Sequence, residues 1–562
     1  MSGLQPRPEN EAQRATSART SLRSRALANP WLAGLAAGTL LVHFLCNGRY
    51  GYWIDELYFI ACGDHLAWGY VDHPPLIAVI ARGSRWLLGD SLFAIRFFPA
   101  LAGAAVVWLT GTMARRLGGG RFAVTLAALC VVVAPVYLAF NNLLTMNAFE
   151  PLLWTALAFV VLEISTGGDE RLWLAAGGIA GVGVLNKHSM LFIGAALAAG
   201  LLLTSQRRIL RSRWLWLGGL LAFALIFPHL LWQYRWHWPT IELQLNAKRY
   251  QFQPVTPLEF VFGQVQLVHP LTLPIWLAGV YFYLRPAAGK PFRFLGWAFA
   301  LVWVAGLLGQ AKTYYLAPLY PIAFAGGAVA VEGWISTHRW AWLKAATLAL
   351  LILGGAITAP YVLPILPVEM VPSYLKLLGM KEVRPERRAE GDVPQLFADM
   401  LGWEDLVRTV ARVYHSLPAA EQARCAIWGN MYGNAAAVDF LGKPYQLPPA
   451  ISGHQNYFLW GPGRFSRDVV IAVGFRAESL QGWFDSVELS ATVACPYCMP
   501  DRLSTPVYVC RGLKEPVEAF WPKTKCWTCD RPEFARGAAP AASPTRPGHT
   551  ALPDVAFGDQ VR

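Results

Sequence analysis

FFPALAGAAVVWLTGTMARRLGGGRFAVTLAALCVVVAPVYLAF, residues 97–140, holds two apolar runs separated by Arg115, Arg116 and Arg121. A helix crosses the hydrocarbon of a bilayer in about 20 residues, with a range of roughly 17–25, and both runs, 97–114 and 122–140, meet that length. Backbone groups in lipid must satisfy one another, so apolar runs this long read as helices. The arginines between them mark a loop on the cytoplasmic side, where Lys and Arg accumulate.

Working outward, the same pattern predicts spans at 30–47, 97–114, 122–140, 146–164, 172–186, 189–205, 214–232, 271–285, 294–310, 314–332 and 341–358, about eleven helices in all. The pair around Asn186-Lys187-His188-Ser189 is the shortest and is also compatible with one re-entrant feature. Composition agrees. Of 562 residues, 55% are apolar and 15% charged, where soluble domains carry about 25% charged residues. A net charge of +13 could suggest nucleic acid, but the basic residues fall in short clusters between apolar runs, so no nucleic-acid partner is expected.

Residues 1–29 are polar and Arg-rich and read as a disordered cytoplasmic tail. The first apolar run shows no signal-peptide cleavage site and reads as a retained span. With the tail inside, the clusters Arg115–Arg121, Arg207–Arg213, Arg285–Arg293 and Arg339–Lys344 also fall inside. An odd number of spans then places everything after about 359 outside. That part alternates β-like runs (Cys425–Trp428, Tyr457–Trp460, Asp468–Gly474, Val507–Cys510) with amphipathic helical stretches (Leu396–Leu417, Asn434–Leu441), which predicts a small α/β domain over 359–534. From 535 to 562 the chain is Ala-, Pro- and Arg-rich and reads as disordered.

On this topology the span interiors are nearly free of charge. The ionisable residues gather at the outer membrane–water interface: Asp55, Glu56, Asp64, Asp72 and His73 in the first outer loop, Glu150 at a helix end, Lys187 and His188 in a short turn, His269 in the long loop, and Lys312 in the last. That distribution points to chemistry at the outer surface rather than a path through the bilayer. Asp55 and Glu56 are adjacent, so on a helix they point about 100° apart and do not share one proton. Trp53, Tyr58 and Phe59 suit the headgroup layer.

Taken in order, Ile-Asp-Glu-Leu-Tyr (54–58), Val-Asp-His-Pro-Pro-Leu (71–76), Asn-Lys-His-Ser-Met (186–190) and Lys-Thr-Tyr-Tyr-Leu-Ala-Pro-Leu-Tyr-Pro (312–321) resemble the bacterial branch of the dolichyl-phosphate-mannose protein mannosyltransferases, glycosyltransferase family 39, of the C-type membrane fold. Leu-Pro-Pro-Ala-Ile-Ser-Gly-His (447–454) and Cys-Pro-Tyr-Cys-Met-Pro (495–500) extend the likeness into the C-terminal part. The resemblance implies a transmembrane glycosyltransferase domain over 30–358 in the inner (cytoplasmic) membrane. It implies an enzyme moving a sugar from a polyprenyl-phosphate donor to a glycan, lipid or protein acceptor on the outer face. It puts Asp55, with Glu56 beside it, at the family's acidic loop position, and Lys312, Tyr314 and Tyr315 near the lipid phosphate. It does not name the sugar.

The residues suit that chemistry. Asp55 can take a proton from an acceptor hydroxyl. Lys312, with Tyr314 and Tyr315 beside it, and Lys187, with His188 beside it, can hold a phosphate through charge-assisted hydrogen bonds. Asp72, His73 and His269 are candidates for a substrate-facing loop. A divalent cation, Mg or Mn, could share the work with Asp55 and Asp72 as oxygen ligands, though no metal cage compels one. Six cysteines fall in the outer part, Cys425, Cys495, Cys498, Cys510, Cys526 and Cys529. Outside the cytoplasm disulfides are the better reading of the two Cys-x-x-Cys pairs, with zinc the alternative and the pairing open. Two rival functions remain on the sequence alone: a transporter or flippase of lipid-linked glycans, against which stands the lack of mid-depth charge and repeats, and a non-catalytic envelope assembly protein.

Overall fold

The computed structural model describes residues 30–252, 254–285, 287–379, 391–463, 465 and 468–528. The predicted tails 1–29 and 535–562, and Cys529, lie outside the described residues.

Every predicted span overlies an apolar helix, but the helices are less uniform than the hydropathy pattern. Among the described residues, six are long and apolar enough to cross a membrane by themselves, and up to nine if each of three bent pairs counts as one span. Pro30–Cys46 and Leu172–Asn186 are shorter apolar helices. The bends have local causes. Arg121–Val133 and Pro135–Asn141 meet at 64°, because Pro135 supplies no N–H and drives Ala134 into an extended conformation. Met190–Leu202 turns by 116° into Ser205–Arg211, whose arginines belong in water. Pro257–Leu267 and Pro270–Leu284 meet at 93°, across His269 at φ 79° and Pro270. Helices of the bundle approach closely where side chains are absent. A Cβ on Gly177 would collide with the carbonyl of Gly218, and one on Gly327 with that of Ile275. Small residues at such contacts let transmembrane helices pack by van der Waals contact, since lipid provides no hydrophobic drive between them.

The segment predicted as one aromatic-rich outer loop contains two helices, Ile54–Asp64 and Leu76–Leu88. Pro75 caps the second, so the Pro74-Pro75 pair opens a helix rather than closing one. That second helix buries Ile77, Ala78 and Ala81 and exposes Trp86, Leu87 and Leu88, the surface of a helix lying in a headgroup layer.

The C-terminal part is a five-stranded mixed sheet with helices against it. Its strands are β1 (Ala426–Gly429), β2 (Ala450–Ile451), β3 (Val469–Val473), β4 (Phe484–Ala494) and β5 (Ser504–Leu513), in the order β2-β1-β3-β5-β4. β1 runs parallel to β2 and β3, while β5 is antiparallel to β3 and β4. Tyr457–Trp460, predicted as β-like, is instead helical within Asn456–Trp460. Its aromatics are spaced for a helical turn: Tyr457 meets Trp460 edge-on at 4.7 Å, and Phe458 stacks on Trp521 at 5.8 Å. The predicted helix Leu396–Leu417 is two helices, Gln395–Ala398 and Trp403–Ser416, interrupted at Gly402 with φ 81°.

This sheet domain does not float free of the membrane part. One apolar core joins Ile54, Leu57, Phe59 and Ile60 of the loop helix to Trp403, Val407, Ile427, Ala435 and Val438. The protein is a polytopic α-helical membrane protein whose C-terminal α/β domain is packed onto the loop helix Ile54–Asp64.

Candidate functional site

Helix Ile54–Asp64 presents Asp55 and Glu56 in its first turn, where the unpaired backbone N–H groups favour negative charge. The helical offset sends the two carboxylates to different neighbours. Glu56 goes inward and is fully buried. Its Oε1 accepts from Arg96 Nε at 2.9 Å and Leu144 N at 2.8 Å, and its Oε2 from Arg96 Nη2 at 2.8 Å and Trp53 N at 2.8 Å. Arg96 also donates to the carbonyls of Asn47 and Gly51, at 3.0 and 2.7 Å. This forked pair clamps the loop to the helix Leu92–Arg116. Sequence reasoning missed Arg96, because it stands one residue before the predicted span.

Asp55 points the other way, toward the sheet domain. Its Oδ1 accepts from the Tyr432 hydroxyl at 2.6 Å. The Tyr432 ring lies 4.6 Å from that of Tyr58 and 4.8 Å from that of His454. Tyr58 donates to Asp72 Oδ1 at 2.9 Å and accepts from Asn456 Nδ2 at 2.9 Å, while Asn456 Oδ1 accepts from Val71 N at 3.1 Å. Desolvation pushes the Asp72 carboxyl up to about 7. His73 is buried, stacks on Tyr70 at 4.6 Å and donates through Nδ1 to the Pro74 carbonyl at 2.8 Å. Burial holds it neutral, its pKa lowered to about 4. Its Nε2 lies 3.9 Å from Asp72 Oδ1. Sequence motifs hinted at His454, but Tyr432 and Asn456 carry no local signal. They lie 377 and 398 residues from their partners Asp55 and Tyr58.

A second group sits at the ends of the neighbouring spans. Lys187 Nζ donates to Asn147 Oδ1 at 2.7 Å and to Glu150 Oε2 at 2.9 Å, and Ser189 bonds the other oxygen of Glu150. The same ammonium lies 4.8 Å from the Tyr315 ring and 5.7 Å from that of Tyr314. Lys312 Nζ lies 4.2 Å over the Phe252 ring and 6.0 Å from Tyr314. So Lys187 from one motif and Lys312, Tyr314 and Tyr315 from another meet in one cationic, aromatic cluster.

A histidine bridge ties the two groups together. His229 Nδ1 is 2.9 Å from the Trp68 carbonyl, in the segment leading to Asp72, and its Nε2 is 2.9 Å from His188 Nε2. The carbonyl needs a donor, so His229 carries its proton on Nδ1 and His188 donates from Nε2. Burial, and the unfavourable proximity of His229 and His73 were they protonated, lowers the His188 pKa to about 4. His269 stands apart from this bridge: it occupies the break between two helix limbs, with its Nδ1 accepting from Leu271 N at 3.2 Å and its ring too close to Gly354 for a Cβ there.

Among the described residues, no three His, Cys, Asp or Glu side chains come close enough to hold a metal. Asp55 and Asp72 each bind a tyrosine hydroxyl and do not by themselves form a donor set. Cys495 and Cys498 form a disulfide, Cys526 is disulfide-bonded, and Cys425 and Cys510 are buried thiols.

Comparison with known proteins agrees with this architecture. Residues 72–232 match the family model described as dolichyl-phosphate-mannose-protein mannosyltransferase. No curated protein matches the chain. The structure of ArnT from Cupriavidus metallidurans bound to undecaprenyl phosphate is similar at 13% identity and a TM-score of 0.58, over 86% of this chain and 98% of that one. The same protein in the apo state gives 16% identity and a TM-score of 0.52 over the same shares. At such identities the likeness is one of fold. Over 72–232 the chain thus resembles the dolichyl-phosphate-mannose-protein mannosyltransferases, and along most of its length it shares the fold of ArnT.

Proposed function

We propose that the protein is a glycosyltransferase that moves a sugar from a polyprenyl-phosphate donor to an acceptor hydroxyl of a glycan, lipid or protein at the outer face of the cytoplasmic membrane. One observation carries this reading. A carboxylate partnered by a neutral phenol, Asp55, and a pocket holding Lys187 and Lys312 lie at one end of the helix bundle, joined by Trp68, His229 and His188. Such a transfer needs a base at the incoming hydroxyl and positive charge at the departing phosphate, on opposite sides of the sugar carbon.

In this reading Asp55 accepts the hydroxyl proton as the acceptor oxygen bonds to the anomeric carbon. The carbon–phosphate oxygen bond breaks with its electron pair going to the polyprenyl phosphate, and Lys312 and Lys187 stabilise that charge. Glu56 does not touch the reacting atoms; it positions the loop through Arg96. The basic clusters between the spans support an orientation with the sheet domain and both residue groups outside the cytoplasm, where a lipid-linked sugar would be presented.

The test uses the full chain in liposomes with labelled polyprenyl-phosphate sugars, chosen by mass spectrometry of lipid-linked glycans that accumulate in cells lacking the protein. Asp55→Asn keeps size and removes the basic oxygen. Turnover is expected to fall about 10²–10⁴-fold while donor binding survives. Wild-type turnover in folded Asp55→Asn would remove Asp55 from the chemistry.

A further inference from the structure

His188 stands beside Lys187, yet the proton on its ring is committed away from any phosphate. The commitment starts at a carbonyl. Trp68 O can only accept, and His229 Nδ1 lies 2.9 Å from it, so that nitrogen carries the His229 proton. The seat is tight: a Cβ on Gly69, the next residue, would lie 2.8 Å from the same Nδ1 and 2.5 Å from Trp232 Cε3. Gln233, one turn on from His229, donates to the Tyr70 carbonyl at 3.4 Å and to Thr240 Oγ1 at 2.7 Å, which holds the helix end and the loop segment together. With its proton on Nδ1, His229 offers a lone pair at Nε2. His188 Nε2, 2.9 Å away, must therefore be the donor. A neutral imidazole has one N–H, so His188 Nδ1 is left with a lone pair. Among the described residues this nitrogen has no hydrogen-bond partner, and the ring is only partly buried. Burial keeps the ring neutral, its pKa lowered to about 4.

We propose that His188 is a specificity-determining residue that accepts a hydrogen bond from a hydroxyl of the donor sugar and does not bind the phosphate. The proposal rests on the reading of the chain as a polyprenyl-phosphate-sugar transferase. A phosphate oxygen and the Nδ1 lone pair are both acceptors and repel each other, whereas a sugar O–H finds its acceptor there. Lys187, the preceding residue, lies in the cationic cluster with Tyr315, so a lipid phosphate held there places the attached sugar beside the histidine. Because the Trp68 backbone dictates the tautomer through His229, the ring does not exchange its donor and acceptor sides to suit a phosphate.

The test measures lipid binding to the full chain with no acceptor present. The two probes are bare polyprenyl phosphate and the polyprenyl-phosphate sugar that accumulates in cells lacking the protein. His188→Phe keeps a ring and removes both nitrogens. Its affinity for the sugar-bearing lipid should fall about 3–10-fold, the scale of one neutral hydrogen bond, while affinity for the bare lipid stays the same. His188→Asn puts an amide oxygen near the place of Nδ1 and should recover part of the loss. Equal losses for both lipids, or no loss for either, would overturn the proposal. A spectroscopic arm needs no variant. In wild type with nitrogen-labelled histidine, His188 should show a protonated Nε2 and an unprotonated Nδ1, and the Nδ1 signal should move with the sugar-bearing lipid and not with the bare one. The reverse tautomer, or an Nδ1 signal that does not distinguish the two lipids, would overturn it as well. A wild-type chain that binds neither lipid would instead sink the donor reading, and this assignment with it, so the two failures are told apart.

Discussion

Asp55 is held by a neutral phenol from 377 residues away, whereas Lys187 is held by Glu150 and Asn147, 37 and 40 residues back on the neighbouring helix. The carboxylate accepts a hydrogen bond from a hydroxyl that orients it. The lysine has much of its charge compensated before any ligand arrives. A group that must gain a proton during a reaction is served by the first arrangement. A group that shapes a pocket and adds partial positive character is served by the second. Glu56, one residue from Asp55, follows the second plan in extreme form, with both oxygens bound and the charge matched by Arg96.

That contrast can be broken most forcefully at the buried pair. Removing one member of a buried ion pair costs about 3–5 kcal/mol. Glu56→Gln and Arg96→Met should each lose stability on that scale, read as a fall in thermal midpoint and in folded yield. Turnover per folded molecule should drop far less than in Asp55→Asn. A stable Glu56→Gln with turnover as low as Asp55→Asn would move Glu56 into the chemistry.

The two lysines should then part company. Lys187→Ala strands a nearly buried Glu150 and should lower stability by about 1.5–3 kcal/mol, the range for a hydrogen bond to a charged group. Lys312→Ala removes the cation that lies over the Phe252 ring. It should instead weaken donor binding by roughly 10–100-fold, the same range expressed as affinity. Equal donor affinity in wild type and Lys312→Ala would leave Lys312 as a lining residue only.

A pH-dependent effect is expected at Asp72, the second carboxylate that takes a phenol. Desolvation pushes it up to about 7, against an ordinary value near 4. Between about pH 4 and 7 the folded chain therefore holds a proton that the unfolded chain has lost, and stability falls as pH rises through that window. Asp72→Asn removes the slope. Relative to wild type, its thermal midpoint should be higher at pH 8 than at pH 5, and an equal offset at both pH values would refute the assignment.

The spans were legible because lipid imposes one rule on every residue that crosses it. Arg96 escaped for the same reason: hydropathy places a span edge by composition, and a buried arginine at that edge looks like loop. The bends at Pro135 and Pro270 follow from residues visible in the sequence, yet their angles depend on packing. The loop helix Leu76–Leu88, which Pro75 caps, was not predicted, since its apolar run is too short to read as a span. In the site, Asp55, Lys187 and Lys312 stood out by charge at an interface. Tyr432 and Asn456 did not, since nothing local distinguishes a tyrosine that reaches a carboxylate from one that fills a core.

The long separation between Asp55 and Tyr432 also has a timetable. Synthesis at about 5–20 residues per second puts roughly 20–75 s between the two residues. During that interval the first helices can already be in the bilayer, with Asp55 exposed and its tyrosine unmade. A chain caught at that stage presents a lipid-facing half without the tyrosine that bonds Asp55. The Asp55–Tyr432 contact therefore forms late in biogenesis, when the last part of the protein has been made and folded back onto the first.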